Sequence, residues 1–184
     1  NLKSIILVSF ILVCLVISFP ALGAVRKDVM QKTVANLRLP IDNRIAALKN
    51  QGDAGFEALK QLAFDPQQAL QVRWRALTML PRANASKAEA PIEQAAQSSE
   101  WFMRNAALVA MPQMNRKFAM KWSEKLLDDP ALVVRTAAVQ TLLDIRAIEK
   151  KDVLFEKLYS AQNFHGGQSL WVRKHTAQAL MQMA

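Results

Sequence analysis

One nine-residue pattern occurs four times in this chain and restricts its fold more than any other feature. "VRWRALTML" begins at Val72, "MRNAALVAM" at Met103, "VRTAAVQTL" at Val134 and "VRKHTAQAL" at Val172. Each copy runs apolar residue, Arg, then a small residue three places after the Arg. Each closes on a small or apolar residue followed by Leu or Met. The arginines are Arg73, Arg104, Arg135 and Arg173, at intervals of 31, 31 and 38 residues. An inserted "AQNFHGGQ" at 161–168 accounts for the longer last interval. Self-similarity at such a period is the mark of a helical repeat array.

The spacing inside each copy explains why. Counting the apolar start as position i, positions i, i+4, i+7 and i+8 share one face of an α-helix. Position i+4 holds Ala76, Ala107, Ala138 and Thr176, all small enough for neighbouring helices to approach closely. Position i−2 is always apolar (Leu70, Trp101, Leu132, Leu170), which predicts a buried stripe reaching back one further turn and makes Trp101 a core residue. A helix before each copy supplies a second apolar layer: Phe56, Leu59 and Leu62; Ile92; Phe118, Leu126 and Leu127; Val153, Leu154 and Leu158. Composition agrees, because 52% of the residues are hydrophobic but only 7% aromatic, with five glycines. No alternating run bounded by turn signals reads as a β-hairpin.

The periodicity predicts helices over 26–38, 41–51, 53–64, 66–80, 87–97, 100–112, 116–127, 131–145, 150–160 and 169–183. Asp65–Pro66 and Asp129–Pro130 each offer an N-cap followed by Pro at the first helical position, and Ser99 and Ser169 are candidate caps for the helices after them.

"DPALVVRTAAVQTLL" resembles the second helix of a HEAT repeat, and "EWFMRNAALVAM" and "LWVRKHTAQAL" are similar to the same element in small bacterial HEAT-repeat proteins. The resemblance covers about residues 53–184. It implies an all-α, right-handed solenoid of antiparallel helix pairs, HEAT/armadillo-like, with about four repeats. Residues 25–52 read as N-terminal capping helices or a degenerate repeat. Departures are Thr176 in place of Ala, the absence of an Asp-Pro turn before the second and fourth copies, and Pro91 inside a leading helix. HEAT arrays are mostly binding scaffolds, and a fold alone does not fix an activity.

Residues 1–24 are of another kind. After Lys3 comes "IILVSFILVCLVISF", 15 residues without a charge, followed by Pro20 and "ALGA". A basic start, an apolar centre and a small-residue exit describe an export signal, cleaved before Ala24 or Val25. The rival reading is an uncleaved anchor, since residues 5–25 are long enough to span a bilayer. Val13 before Cys14 argues against a lipoprotein signal. Cys14 is the chain's one cysteine, so the remaining domain has neither disulfide nor thiol chemistry. It must be held by packing alone.

The net charge is +9, of which +8 remains once Lys3 and the rest of the first 24 residues are set aside. Such a balance suits an anionic partner, foremost a protein with an acidic surface, with anionic membrane lipid or nucleic acid as further readings. "RKFAMKWSEKLL" at 116–127 fits a membrane-surface helix or an ordinary outer helix of the array. The Arg ladder reads either as a basic stripe for the partner or as stems covering the neighbouring helix with heads bonded to turn carbonyls or Asp. Trp74 stands in a column otherwise polar (Asn105, Thr136, Lys174), so an exposed Trp beside Arg73 and Arg75 is a candidate anchor. The candidate partner-binding set is therefore Arg73, Trp74, Arg75, Arg104, Asn105, Arg135, Trp171, Arg173 and Lys174.

Catalysis finds no motif. His165 and His175 stand ten residues apart without a Cys or carboxylate cluster, and the chain has no phosphate loop or nucleophile elbow. The expectation is a non-catalytic scaffold without metal, cofactor or small-molecule substrate, exported to the bacterial periplasm and gripping an envelope protein. The alternatives are an anchored accessory subunit of an envelope assembly, or a basic HEAT-like nucleic-acid binder.

Overall fold

The computed structural model describes residues 20–183. Ten α-helices follow one another: α1 (Pro20–Ala35), α2 (Ile41–Lys49), α3 (Gly52–Phe64), α4 (Leu70–Ala83), α5 (Ala85–Ala96), α6 (Trp101–Ala110), α7 (Arg116–Leu126), α8 (Leu132–Asp144), α9 (Lys151–Lys157) and α10 (Trp171–Gln182). Short 3₁₀ turns lead out of α6, into α9 and out of the loop after α9. The apolar segment Ile5–Phe19, Cys14 included, lies outside the described residues. Among these ten helices none is long and apolar enough to cross a membrane.

The helices pack in two rows. Each odd-numbered helix from α3 onward lies against the even-numbered helix that follows it, and α4, α6, α8 and α10 also contact one another in succession. The small residues make this possible: Ala76, Ala107, Ala138 and Thr176 are all fully buried. Thr176 keeps the pattern because its hydroxyl donates to the Val172 carbonyl at 2.9 Å, leaving no buried donor unmet. Leu80, Met111 and Leu142 at i+8 are likewise buried and belong to one core cluster with Leu59, Leu62, Ile92, Leu126, Leu127 and Leu154. Where α3 meets α2 the backbones touch. A Cβ on Gly55 would sit 2.4 Å from the Leu48 carbonyl oxygen, so only glycine fits there.

Four local expectations fail, each for a physical reason. The Asp-Pro turns do not start helices. Asp65 and Asp129 accept from Gln67 and Ala131 backbone N–H at 2.9 and 2.8 Å, closing Asx turns, and α4 and α8 begin only at Leu70 and Leu132. Ser99 and Ser169 cap nothing: Glu100 and Leu170 occupy the N-cap positions of α6 and α10 without a side-chain bond. Side-chain caps come instead from Asn84 and Asn115, which accept from Lys87 and Lys117 N–H.

The i−2 stripe is buried only in part. Leu70 and Trp101, each the first residue of its helix, are exposed, whereas Leu132 and Leu170 are half-buried and pack against the core. Phe102 takes the buried place beside Trp101.

A β-hairpin does exist. In the insertion, β1 (Phe164–His165) pairs antiparallel with β2 (Gln168–Ser169) across Gly166 and Gly167. Their φ values of +56° and +78° suit a tight two-residue turn that non-glycine residues resist. Strands of two residues are too short for alternation to show in sequence.

Candidate functional site

The ladder arginines lie where consecutive helix pairs meet, and their bonds are internal. Arg73 donates through Nε to the Ala63 carbonyl at the end of α3 and grips Glu100 with two bonds of 2.9 and 2.6 Å. Its guanidinium also covers the Phe102 ring at 4.9 Å. Arg104 repeats the arrangement one pair further on, donating to the Ser98 and Ser99 carbonyls and twice to Asp129. Arg135 donates to the Asp129, Pro130 and Gln162 carbonyls and to Asn163 Oδ1 at 2.9 Å. The insertion thus supplies an amide where the earlier rungs use a carboxylate. Arg173 donates to the Leu158 carbonyl and stacks on Phe164 at 4.1 Å.

A fifth rung was not read from the sequence. Arg44 of α2, nine-tenths buried, donates to the Val34 carbonyl ten residues back, as Arg73 does to Ala63. Its signal was present in "NRIAAL", but a polar Asn43 replaces the apolar residue that opens the other copies.

These bonds shift the charge states of the groups they join. Glu100 is held below the usual carboxylate range, chiefly by its hydrogen bonds from Arg73. Burial makes the Arg135 guanidinium somewhat easier to deprotonate, while Asp129 bonding stabilises the charged form of Arg104. On the outer row, Arg116 donates to the Ile145 and Arg146 carbonyls and twice to Glu149, whose pKa is pushed down to about 2 mainly by that bond. In α7, Trp122 is buried with Lys121 and Lys125 over its ring, so that helix turns its aromatic face inward.

The remaining candidates sort differently from expectation. Trp74 is half-buried and donates through Nε1 to Asn105 Oδ1 at 2.9 Å; Asn105 in turn donates to the Val133 carbonyl. Thr136 is buried and bonds back to Leu132. The polar column is thus a cross-helix chain of bonds over α4, α6 and α8, and Trp74 is not the exposed indole it was expected to be. Trp101, at 48% exposure, and Trp171, at 57%, are the exposed ones. Lys174 is exposed, and His175 packs against Trp171 at 4.5 Å between ring centres. His165 sits exposed on the hairpin, and among the described residues no three His, Cys, Asp or Glu side chains cluster as a metal site requires.

Apolar side chains stand exposed in the first turn of successive even-numbered helices, Leu70, Trp101, Val133 and Trp171, and Val109 is exposed near the other end of α6. Two shallow clefts open beside α4. One of about 350 Å³ lies between α4 and α6, lined by Leu70, Trp74, Arg75, Trp101 and Phe102. The other, of about 220 Å³, lies between α2 and α4, lined by Leu37, Ile41, Arg44, Trp74 and Arg75. The arrangement defines an all-α protein of packed helix pairs whose even-numbered helices from α4 on each carry an exposed apolar side chain in the first turn. No protein-family model and no curated protein matches the chain.

Proposed function

We propose that this chain is an exported, non-catalytic scaffold of the HEAT-like kind, a right-handed solenoid that holds a protein partner on its even-numbered helices. The observation that carries the reading is the exposed apolar side chain in the first turn of each successive even-numbered helix, Leu70, Trp101, Val133 and Trp171. Large apolar side chains, two of them tryptophan, left exposed at matching places on successive helices suit an interaction face. Arg44 supports counting α1 and α2 as a degenerate fifth repeat rather than as a cap alone, because it makes the ladder's characteristic bond. Export to the periplasm rests on the apolar run that follows Lys3. Intact mass of protein isolated from the native envelope tests that part: loss of about 23 residues means a freed domain, and an intact start means the anchored accessory subunit.

The binding reading is tested by placing a photo-crosslinking amino acid at Val109, at Trp171 and, on the odd-numbered row, at Gln61. All three side chains are exposed. The first two positions should yield the same discrete adduct in native envelopes, and Gln61 should yield none. Adducts of equal intensity from all three sites, or from Gln61 alone, overturn the proposed face.

A further inference from the structure

The two clefts beside α4 share a wall, and that wall is cationic. Trp74 and Arg75 line both. Arg75, on the same helix as the fully engaged Arg73, has no hydrogen-bond or ion-pair partner of its guanidinium among the described residues, and neither cleft has an acidic residue in its lining. At the floor of the second cleft lies Arg44. Its Nη1 is taken by Val34, but its buried Nε has no acceptor. On the ladder, Arg73, Arg104 and Arg135 have each met a carboxylate or an amide oxygen besides carbonyls, and Arg173 a carbonyl and the Phe164 ring. The groove over α4 therefore has apolar pockets on both sides and unspent positive charge between them.

We infer that this groove recognises a peptide segment of the partner in which an acidic side chain is flanked by two apolar ones. The apolar side chains fill the two clefts, and the carboxylate between them pairs with Arg75. The clefts sit on either side of one helix, so their centres are separated by about one interhelical spacing, roughly 10 Å. A chain in the polyproline II conformation covers that distance in three residues at about 3.1 Å each, and its three residues per turn return the fourth side chain to the face of the first. The matching motif is apolar, any, acidic, apolar, or the same with the two middle residues exchanged. The inference rests on the scaffold reading above and narrows it to a recognition chemistry.

The probe is a fluorescein-labelled synthetic peptide, Gly-Ser-Leu-Ser-Asp-Leu-Ser-Gly, titrated with the purified domain and followed by polarisation. Saturable binding is expected. Loss of about tenfold or more is expected both on changing the peptide's Asp to Asn and on the Arg75→Glu substitution, the weight of one charge-assisted bond. Lys121→Glu, on the other row, serves as the charge control and should change affinity less than twofold. Trp101→Ala should weaken binding through the apolar pocket, and each variant's unfolding midpoint reports whether it has folded. Binding that ignores the Asp-to-Asn change, equal losses from Arg75→Glu and Lys121→Glu, or no binding at all overturns the inference. Self-association of the domain that Trp101→Ala abolishes would assign the groove to a second copy instead, and also overturns it. If the Val109 and Trp171 crosslinks persist while the peptide fails, the scaffold reading stands and only this recognition chemistry falls.

Discussion

Arg104 and Asp129, 25 residues apart in sequence, meet in a two-point bond of 2.6 and 2.9 Å with both side chains almost withdrawn from solvent. The pair ties α6 to the turn that precedes α8, and Asp129 holds that turn by accepting from Ala131 N–H. Removing one partner strands a buried charge, which costs far more than the pair contributes relative to an apolar substitute. Asp129→Asn keeps the turn bond and loses the charge; Asp129→Ala loses both. We expect Asp129→Ala to lower unfolding free energy by about 3 kcal/mol, near the low end for a broken buried pair, with Asp129→Asn less severe. Equal, negligible losses in urea denaturation would show that the bond is solvated and unimportant.

The contact row between even-numbered helices has no room to spare. Ala107 is fully buried where α6 meets its neighbours, so Ala107→Leu should overpack the interface and cost roughly 1–3 kcal/mol. Leu142→Ala should cost roughly 2–5 kcal/mol through the cavity it leaves. Unchanged denaturation midpoints would contradict the packing register.

The two tryptophans of the first cleft should separate stability from binding. Trp74 is half-buried and satisfies Asn105, so Trp74→Ala should lower the thermal midpoint measurably. Trp101 is exposed at the start of α6, so Trp101→Ala should stay within about 0.5 kcal/mol of the parent stability. The same change should weaken partner capture by more than about 1 kcal/mol, as loss of an interface anchor does. The reverse pattern would exchange their roles.

Acid should release the Arg116–Glu149 tie over a defined window. Glu149 has a folded pKa of about 2 against about 4.3 for a free glutamate. A carboxylate depressed on folding stabilises the native state at pH values above the unfolded pKa, and that contribution fades as pH falls toward the folded one. Glu100, also depressed by its arginine, acts in the same direction. The stability difference between the parent and Glu149→Gln should therefore be constant from neutral pH to about 5, shrink below that, and vanish only as pH falls through about 2. A difference that persists undiminished down to about pH 1 would mean the glutamate acts through packing rather than charge.

The helices and their packing face were legible because they depend on local spacing. Ala76, Ala107 and Ala138 recur at a fixed distance from an Arg, and a 3.6-residue period converts that distance directly into a shared face. All ten predicted helical segments correspond to helices, with ends displaced by one to several residues. Asp65 and Asp129 show why the ends moved: the same side-chain oxygen closes a turn as readily as it caps a helix, and only the path to the next layer decides between them.

What the sequence by itself determined is therefore the all-α class, the ten elements and the small-residue seam along which they meet. The tertiary structure alone decided which residues face solvent. Trp74 and Trp101 exchange the environments expected of them because exposure depends on what a neighbouring helix covers, and helix ends project past that cover. It also decided where the arginine charges go. Arg73 and Arg75 are two positions apart on one helix, yet one faces Glu100 across the junction and the other faces an open groove. Two residues of helix turn a side chain by about 200°, so chemically identical groups point to opposite partners, and which partners lie there is set by segments tens of residues away.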